Sequence, residues 1–280
     1  MELFSPKLSI VITSYNSESY IRKCLESAIH QSIKSKEIII IDDGSSDNTQ
    51  TIILEYAKCN KQIKYFSNEC NRGAGFTKNR AISIAKGQYV GFIDSDDYIE
   101  HDYFEKLLHA AEDTNADIAC ADIALVYTDE IIKSNLIHEN NYCKMIGQVE
   151  TQTKKPIIIK NEIAFSHWSS ASAPNKIFKR GLIARFRFYE GVCDDLSSVL
   201  PSLVYAERIV YVPNLCYYYV QRPGSLENSE FTENRLEVAT VINETALRIM
   251  KKDKPIYIDI MVTNILYSVL TRIGDIEDEN

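Results

Sequence analysis

An α/β fold, with a mostly parallel central sheet flanked by helices, is predicted by three features of the sequence. β-Branched runs alternate with helix-like segments from Leu8 onward, one run holds four consecutive isoleucines, and two of the runs end in acids. Leu8 to Thr13 reads as the first strand, and Ser17 as the cap of a helix running to about Gln31. Glu37 to Asp42 has the continuous apolar character of a strand buried on both faces. Asp47, with Gln50 three residues on, has the form of a capping box opening a helix to about Lys58, and Ile63 to Phe66 is the third strand. Phe76 to Lys86 reads as a helix closed by Gly87, and Tyr89 to Ile93 as the fourth strand.

A helix from Asp102 to Glu112 leads to an apolar run, Asp117 to Val126. From Tyr127 to Lys160 periodicity is lost, which predicts an insertion. Order returns around Trp168 to Phe178, followed by a helix near Leu196 to Tyr205, a strand Arg208 to Val212 and a tyrosine-rich segment Cys216 to Val220. Two helices, Glu233 to Lys251 and Pro255 to Ile273, are expected to form a C-terminal appendage ending in the acidic tail Gly274 to Asn280.

The 280 residues suffice for one large domain with an appendage, or for two small domains, and 45% apolar with 25% charged residues excludes disordered and fibrous classes. A net charge of −8 without a basic stripe argues against a nucleic-acid partner. Seven cysteines, odd in number and without a C-x-x-C pair, fit reduced thiols and a cytoplasmic setting. Met1 to Pro6 has neither the basic nor the apolar region of a secretory signal. Pro255 to Ile273 carries Asp259, Asn264 and Arg272, too polar for a membrane span; as an amphipathic helix it is expected to rest on the inner face of the membrane or to pair with a second copy in a homodimer.

In an open parallel sheet, ligands bind beyond the carboxyl ends of the strands. That edge receives Thr13, Tyr15 and Asn16 after strand one, Asp42 and Asp43 after strand two, and Asp94, Asp96 and Asp97 after strand four. The cluster Asp94-Ser95-Asp96-Asp97 is costly without a neutralising cation. Its oxygen donors suit Mg²⁺ or Mn²⁺ bridging a diphosphate, with Asp96 and Asp94 as ligands; the bland alternative is a set of helix caps. Asp43 can accept a hydrogen bond from a ring N–H such as that of uracil, or be a turn residue, and Tyr15 can stack on the base, or pack in the core. No G-x-G-x-x-G follows the first strand and no P-loop is present, which removes nicotinamide and P-loop enzymes.

The blocks Leu8-Ser-Ile-Val-Ile-Thr-Ser-Tyr-Asn16, Ile41-Asp-Asp-Gly-Ser-Ser-Asp-Asn-Thr49, Asn71-Arg-Gly73 with Lys78-Asn79-Arg80, and Gly87 to Asp97 closely resemble the family 2 glycosyltransferases of the GT-A fold. The resemblance runs from Leu8 to about Leu226. It implies a glycosyltransferase domain over 1–226, with a nucleotide-binding half, 1–100, and an acceptor-binding half, 101–226, followed by a helical extension over 227–280. It further implies that Thr13, Tyr15 and Asp43 hold the base, that Asp94 to Asp96 is a D-x-D element holding ribose and metal, and that Asp97 shapes the sugar pocket. Asn16 and Lys78 fall within the nucleotide-sugar set. Lys78 stands where the family often has Arg, and Ala81 where Gly is common. Glu190 to Leu196 resembles the downstream Glu-Asp element, with Asp194 in the Glu position. Asp195 is then the expected base and Asp194 the second choice, against an N-cap role for either. Arg222 is placed to close over the diphosphate, or is a surface Arg, and Trp168 lines the acceptor side, or the core.

The expected activity is inverting transfer from a nucleotide-diphosphate sugar, UDP-linked, to a glycan or lipid-linked hydroxyl in cell-surface polysaccharide or oligosaccharide synthesis. The other class carried forward is a non-catalytic relative that binds a nucleotide sugar or glycan as a scaffold.

Overall fold

A computed structural model describes residues 5–127, 131–134, 155–161, 164, 171–191, 193–222, 237–252 and 257–258. The chain lays down β1 (Leu8–Ser14), α1 (Ile21–Ile29), β2 (Lys36–Asp42), α2 (Thr49–Cys59), β3 (Ile63–Ser67), α3 (Ala74–Ile84), β4 (Tyr89–Asp94), β5 (Tyr98–Ile99) and α4 (Tyr103–Thr114). Then come β6 (Ile118–Val126), β7 (Ile131–Ser134), β8 (Ile157–Ile159), β9 (Lys176–Lys179), α5 (Arg180–Ile183), α6 (Asp194–Tyr205), β10 (Ile209–Val220) and α7 (Glu237–Met250).

The strands join one sheet in the order β3-β2-β1-β4-β9-β6-β10-β5, with β7 on β6 and β8 on β10. β3, β2, β1 and β4 are mutually parallel, as are β6 and β10, whereas β9 lies antiparallel between β4 and β6. The sheet is therefore mixed, with its fully parallel part at the N-terminal half.

The period-2 alternation of a strand assigns each residue to a face. Ile10, Ile12, Ile38, Ile40 and Ile93 pack with α1, α2 and α4 on one side; Val11, Ile39, Ile41, Val90 and Phe92 pack with α3, α5, α6 and α7 on the other. All seven residues of β2 are buried, which is why its isoleucines show no polar alternation. Val241, Ile249 and Tyr257 are fully buried, and α7 packs along α6, so this helix shares the core of the sheet's second face. Most of Pro255 to Ile273, Trp168 and Cys143 lie outside the described residues. No helix among the described residues is long and apolar enough to cross a membrane.

Of three expected caps, Asp47 does bond the first N–H of α2, whereas Ser17 and Gly87 are used otherwise. Ser17 offers its carbonyl to Tyr20 and Ile21, while its hydroxyl bonds Ser95 Oγ at 2.6 Å and the carbonyl of Tyr15 at 3.1 Å. Asp47 Oδ1 accepts the Thr49 N–H, two residues on, at 3.0 Å. Gly87 does not close α3, which ends at Ala85 in extended conformation; a Cβ on Gly87 would stand 2.4 Å from Ser9 N, so its glycine permits a close approach of β1. The strand Arg208 to Val212 and the tyrosine-rich segment are one strand, β10, with an irregularity between Tyr211 and Cys216.

Candidate active site

The register of the parallel strands puts the predicted residues on one edge. Ser14 pairs with Asp42 and Thr13 with Asp94, so β1, β2 and β4 end together. The loop after β1 is fixed against the loop after β2. Asn16 takes the left-handed region, φ 46°, which Asn tolerates better than most residues, and its Oδ1 accepts the Ser46 N–H at 2.9 Å. Asn16 N–H donates to Ser45 Oγ at 2.9 Å, and Ser17 N–H to Thr49 Oγ1 at 2.7 Å. Tyr15, at the mouth of this edge, is 45% exposed, so its ring is not a core residue.

Asp43 is buried, and its carboxylate accepts from Asn68 Nδ2 at 2.6 Å, from the Arg72 N–H at 3.0 Å and from the Gly73 N–H at 2.8 Å. It therefore holds the turn from which α3 starts, at Gly73 with φ 86°. Gly44, φ 73°, has no room for a side chain: a Cβ there would sit 2.8 Å from the Cys70 backbone.

The acidic turn after β4 is held from β10. Tyr217 donates to Asp97 Oδ2 at 2.6 Å and accepts from the Asp94 N–H at 3.1 Å, and the Val220 N–H donates to Asp97 Oδ1 at 2.8 Å. Asp97 is 1% exposed, so its carboxylate serves the shape of the turn rather than its open face. Burial, with Asp94 and Asp96 nearby, holds its pKa well above the usual carboxylate range. Asp96 Oδ2 accepts from Arg222 Nε at 2.6 Å, so this arginine sits on the acid expected to hold a cation. The Arg222 guanidinium also lies 5.4 Å from the Tyr20 ring.

Across the same edge, α6 brings Asp194 and Asp195 to Lys78 of α3. Lys78 Nζ is 2.6 Å from Asp195 Oδ1 and 2.9 Å from Asp194 Oδ2. Asp195 Oδ2 accepts the Ala173 N–H at 2.9 Å, so this carboxylate looks toward α3 and the segment before β9 instead of capping its own helix. Burial raises Asp194 to about 6 against the pull of Lys78. Burial likewise raises Asp94 to about 7, with Lys78 opposing and Asp96, Asp195 and Asp194 adding to the rise. Acids from β4 and α6 thus act on one another through space. Lys176, buried at the start of β9, is lowered to about 8 by burial, with Cys120 and Asp195 opposing.

Several supporting residues have no single-residue signature in the sequence. Tyr217 had only the period of its tyrosine run, Ser95 only its place between acids, and Asn79, which exchanges bonds of 2.8 and 2.9 Å with the Phe188 backbone, only its place in a block. An open cavity of about 430 Å³ is lined by Arg185, Phe186, Arg187, Tyr205, Arg248 and Lys251, and by none of the acids.

The model of glycosyl transferase family 2 matches residues 9–185, a span covering every strand-end acid described above. The chain belongs to glycosyl transferase family 2. A relative within the family's reach is the putative glycosyltransferase EpsH of Bacillus subtilis, 29% identical over 221 residues, 77% of this chain and 61% of EpsH. The chain thus spans less than two thirds of that relative's length. Among solved structures, S. aureus TarS 1-349 in complex with UDP-GlcNAc superposes with a TM-score of 0.69 at 24% identity, over 87% of this chain and 66% of TarS 1-349. GalNAc-T7 with UDP, GalNAc and Mn²⁺ superposes at 0.61 and 16% identity, over 87% of this chain and 48% of that one. These likenesses establish the GT-A fold of this family 2 chain.

Proposed function

We propose that this chain transfers a sugar from a nucleotide-diphosphate sugar, UDP-linked, to a hydroxyl of a glycan or lipid-linked acceptor, with inversion at the anomeric carbon. The observation that carries the proposal is the convergence of two acid pairs: Asp94 and Asp96 at the end of β4, and Asp194 and Asp195 on α6, coupled through the space around Lys78. The TarS neighbour bound to UDP-GlcNAc supports the donor class.

Asp195 is the proposed base. A carboxylate beside the acceptor hydroxyl takes its proton as that oxygen attacks the anomeric carbon, and the bond to the diphosphate breaks in the same displacement. Tyr15 and Thr13 are proposed to face the base and Asp43 to accept its ring N–H, through a carboxylate whose position the Arg72 and Gly73 amides fix. Asn16 holds the two loops together, and Asp97 holds the acidic turn.

The donor set fits a hard divalent cation, Mn²⁺ or Mg²⁺. Asp94 and Asp96 offer only oxygens, and burial, with neighbouring acids adding to it, raises Asp94, a charge penalty that a cation relieves. Among the described residues, no three acid, histidine or cysteine side chains form a closed ligand group. When bound, such an ion would neutralise charge on the leaving diphosphate. Arg222, freed from Asp96, is proposed to turn to the diphosphate.

The test is UDP release from UDP-glucose, UDP-galactose and UDP-GlcNAc with Mn²⁺, with and without glycolipid acceptors. Release in the parent and none in Asp195→Asn, which should still bind UDP, is the expected result. UDP binding without release from any donor would support the scaffold reading instead.

A further inference from the structure

The sequence puts Lys78 among the residues that hold the nucleotide sugar; its surroundings in the fold point to another role. Its side chain is 5% exposed, and two of the three ammonium protons face carboxylates, Asp195 Oδ1 at 2.6 Å and Asp194 Oδ2 at 2.9 Å. Little of it is open to a ligand entering from solvent.

The packing that brings α3 to α6 is specific. Gly75, one turn before Lys78, lies so close to the 189–194 segment that a Cβ would stand 1.7 Å from the Tyr189 carbonyl oxygen and 3.0 Å from Asp194 Cβ. Asn79, the next residue, clamps the Phe188 backbone through both its amide donor and its acceptor. The ring of Phe188 lies 5.3 Å from the ammonium. Lys78 is thus held on both sides, and Asp195 is held at both oxygens, by Lys78 and by the Ala173 amide.

We infer that Lys78 is a positioning residue for transfer, which aims and holds the Asp195 carboxylate as the base instead of binding the nucleotide. The inference rests on Asp195 being that base. In the step it serves, the acceptor O–H proton passes to Asp195, the acceptor oxygen bonds the anomeric carbon, and the electron pair of the cleaved C–O bond leaves with the diphosphate. Asp195 becomes neutral, and Lys78 remains paired with Asp194. The charged groups facing this centre are Asp194 and Asp195 from α6, Asp94 from β4, Lys78 from α3 and Lys176 from β9. Burial works against the charge on Lys78, but Asp194, Asp195 and Asp94 outweigh it and hold the ammonium protonated well above the ordinary lysine range. Lysine suits two separate carboxylates because its donors radiate from one point, whereas the planar fork of arginine favours a single bidentate partner.

The test compares the parent, Lys78→Met, Lys78→Arg and Asp195→Asn in UDP affinity, in UDP release from the best of the three UDP-sugars, and in the pH dependence of that release. Lys78→Met is expected to bind UDP within about twofold of the parent and to lose about 10²-fold in kcat, the scale of a misaligned reacting group. The acid limb of its pH profile is expected to move upward, because the ammonium that pulls Asp194 down, and that sits 2.6 Å from Asp195 Oδ1, is gone. Lys78→Arg, which keeps the charge, should hold the limb near its parent position even if kcat falls. Loss of UDP affinity in Lys78→Met would make Lys78 a nucleotide ligand and overturn the inference, and so would lost activity with an unmoved limb. If Asp195→Asn retains release, the base assignment fails instead. If Lys78→Met does not fold, Lys78→Arg decides alone: a displaced limb with charge retained would overturn the inference.

Discussion

Gly75→Ala tests how the site is assembled without altering any polar group. The added Cβ would lie 1.7 Å from the Tyr189 carbonyl oxygen and 2.8 Å from its carbon, both backbone atoms that cannot swing aside. Ordinary contact begins at 3.4 Å, so α3 and the backbone at Tyr189 must separate by about 1.7 Å. Overpacking of this kind costs about 1–3 kcal/mol. The same displacement opens the 2.6 Å bond between Lys78 and Asp195 beyond hydrogen-bond reach, and a misplacement of about 1 Å near a reacting group can lower the rate about 10²-fold. Urea denaturation and UDP release from a UDP-sugar measure the two effects on one preparation. Gly73→Ala is the control for clash, since nothing lies within 4 Å of its Cβ and only the strain of φ 86° is tested. Parent-like stability together with parent-like release in Gly75→Ala would refute the reasoning.

Tyr217→Phe should cost about 1–3 kcal/mol in urea denaturation, because a buried acceptor, Asp97, loses its donor; the loss should shrink as pH falls, since burial makes Asp97 take up its proton more readily than an ordinary carboxylate. Without metal or nucleotide, thermal stability should fall as pH rises from 5 to 7.5. Asp94 and Asp194 are raised in the fold to about 7 and about 6, so the folded state binds protons more tightly than the unfolded one, and that advantage disappears as pH passes through those values. A melting temperature that rises over this window would count against the crowded acids. Stabilisation by Mn²⁺ with UDP should be larger at pH 7.5 than at pH 6, since protonated Asp94 is a poor ligand. Arg222→Met should bind Mn²⁺ alone more tightly than the parent, because it removes the cation now on Asp96, yet bind UDP with Mn²⁺ more weakly, as calorimetry can show.

The N-terminal half was legible because each signal was local. Four isoleucines in β2 could only be buried on both faces, and acids following β2 and β4 were bound to share an edge once the strands were parallel. The mixed character of the second half was not legible. β9 is four residues long and antiparallel to both neighbours, and β5, β7 and β8 are shorter than a reliable period, so only long-range pairing defines them. Asp195 was identified by its neighbours in sequence, but its partner Lys78 lies 117 residues away, and no spacing rule joins them. Ser17 and Gly87 misled for a common reason: each has the residue type of a helix cap, and tertiary contacts with Ser95 and Ser9 decided its use.

Calorimetric titration of UDP into the parent, Asp96→Ala and Asp195→Asn, each with and without Mn²⁺, separates the nucleotide end of the cleft from the base most directly. Binding that needs Mn²⁺ in the parent and in Asp195→Asn, and that disappears in Asp96→Ala, is the predicted pattern. Mn²⁺-dependent binding of equal strength in Asp96→Ala would contradict it.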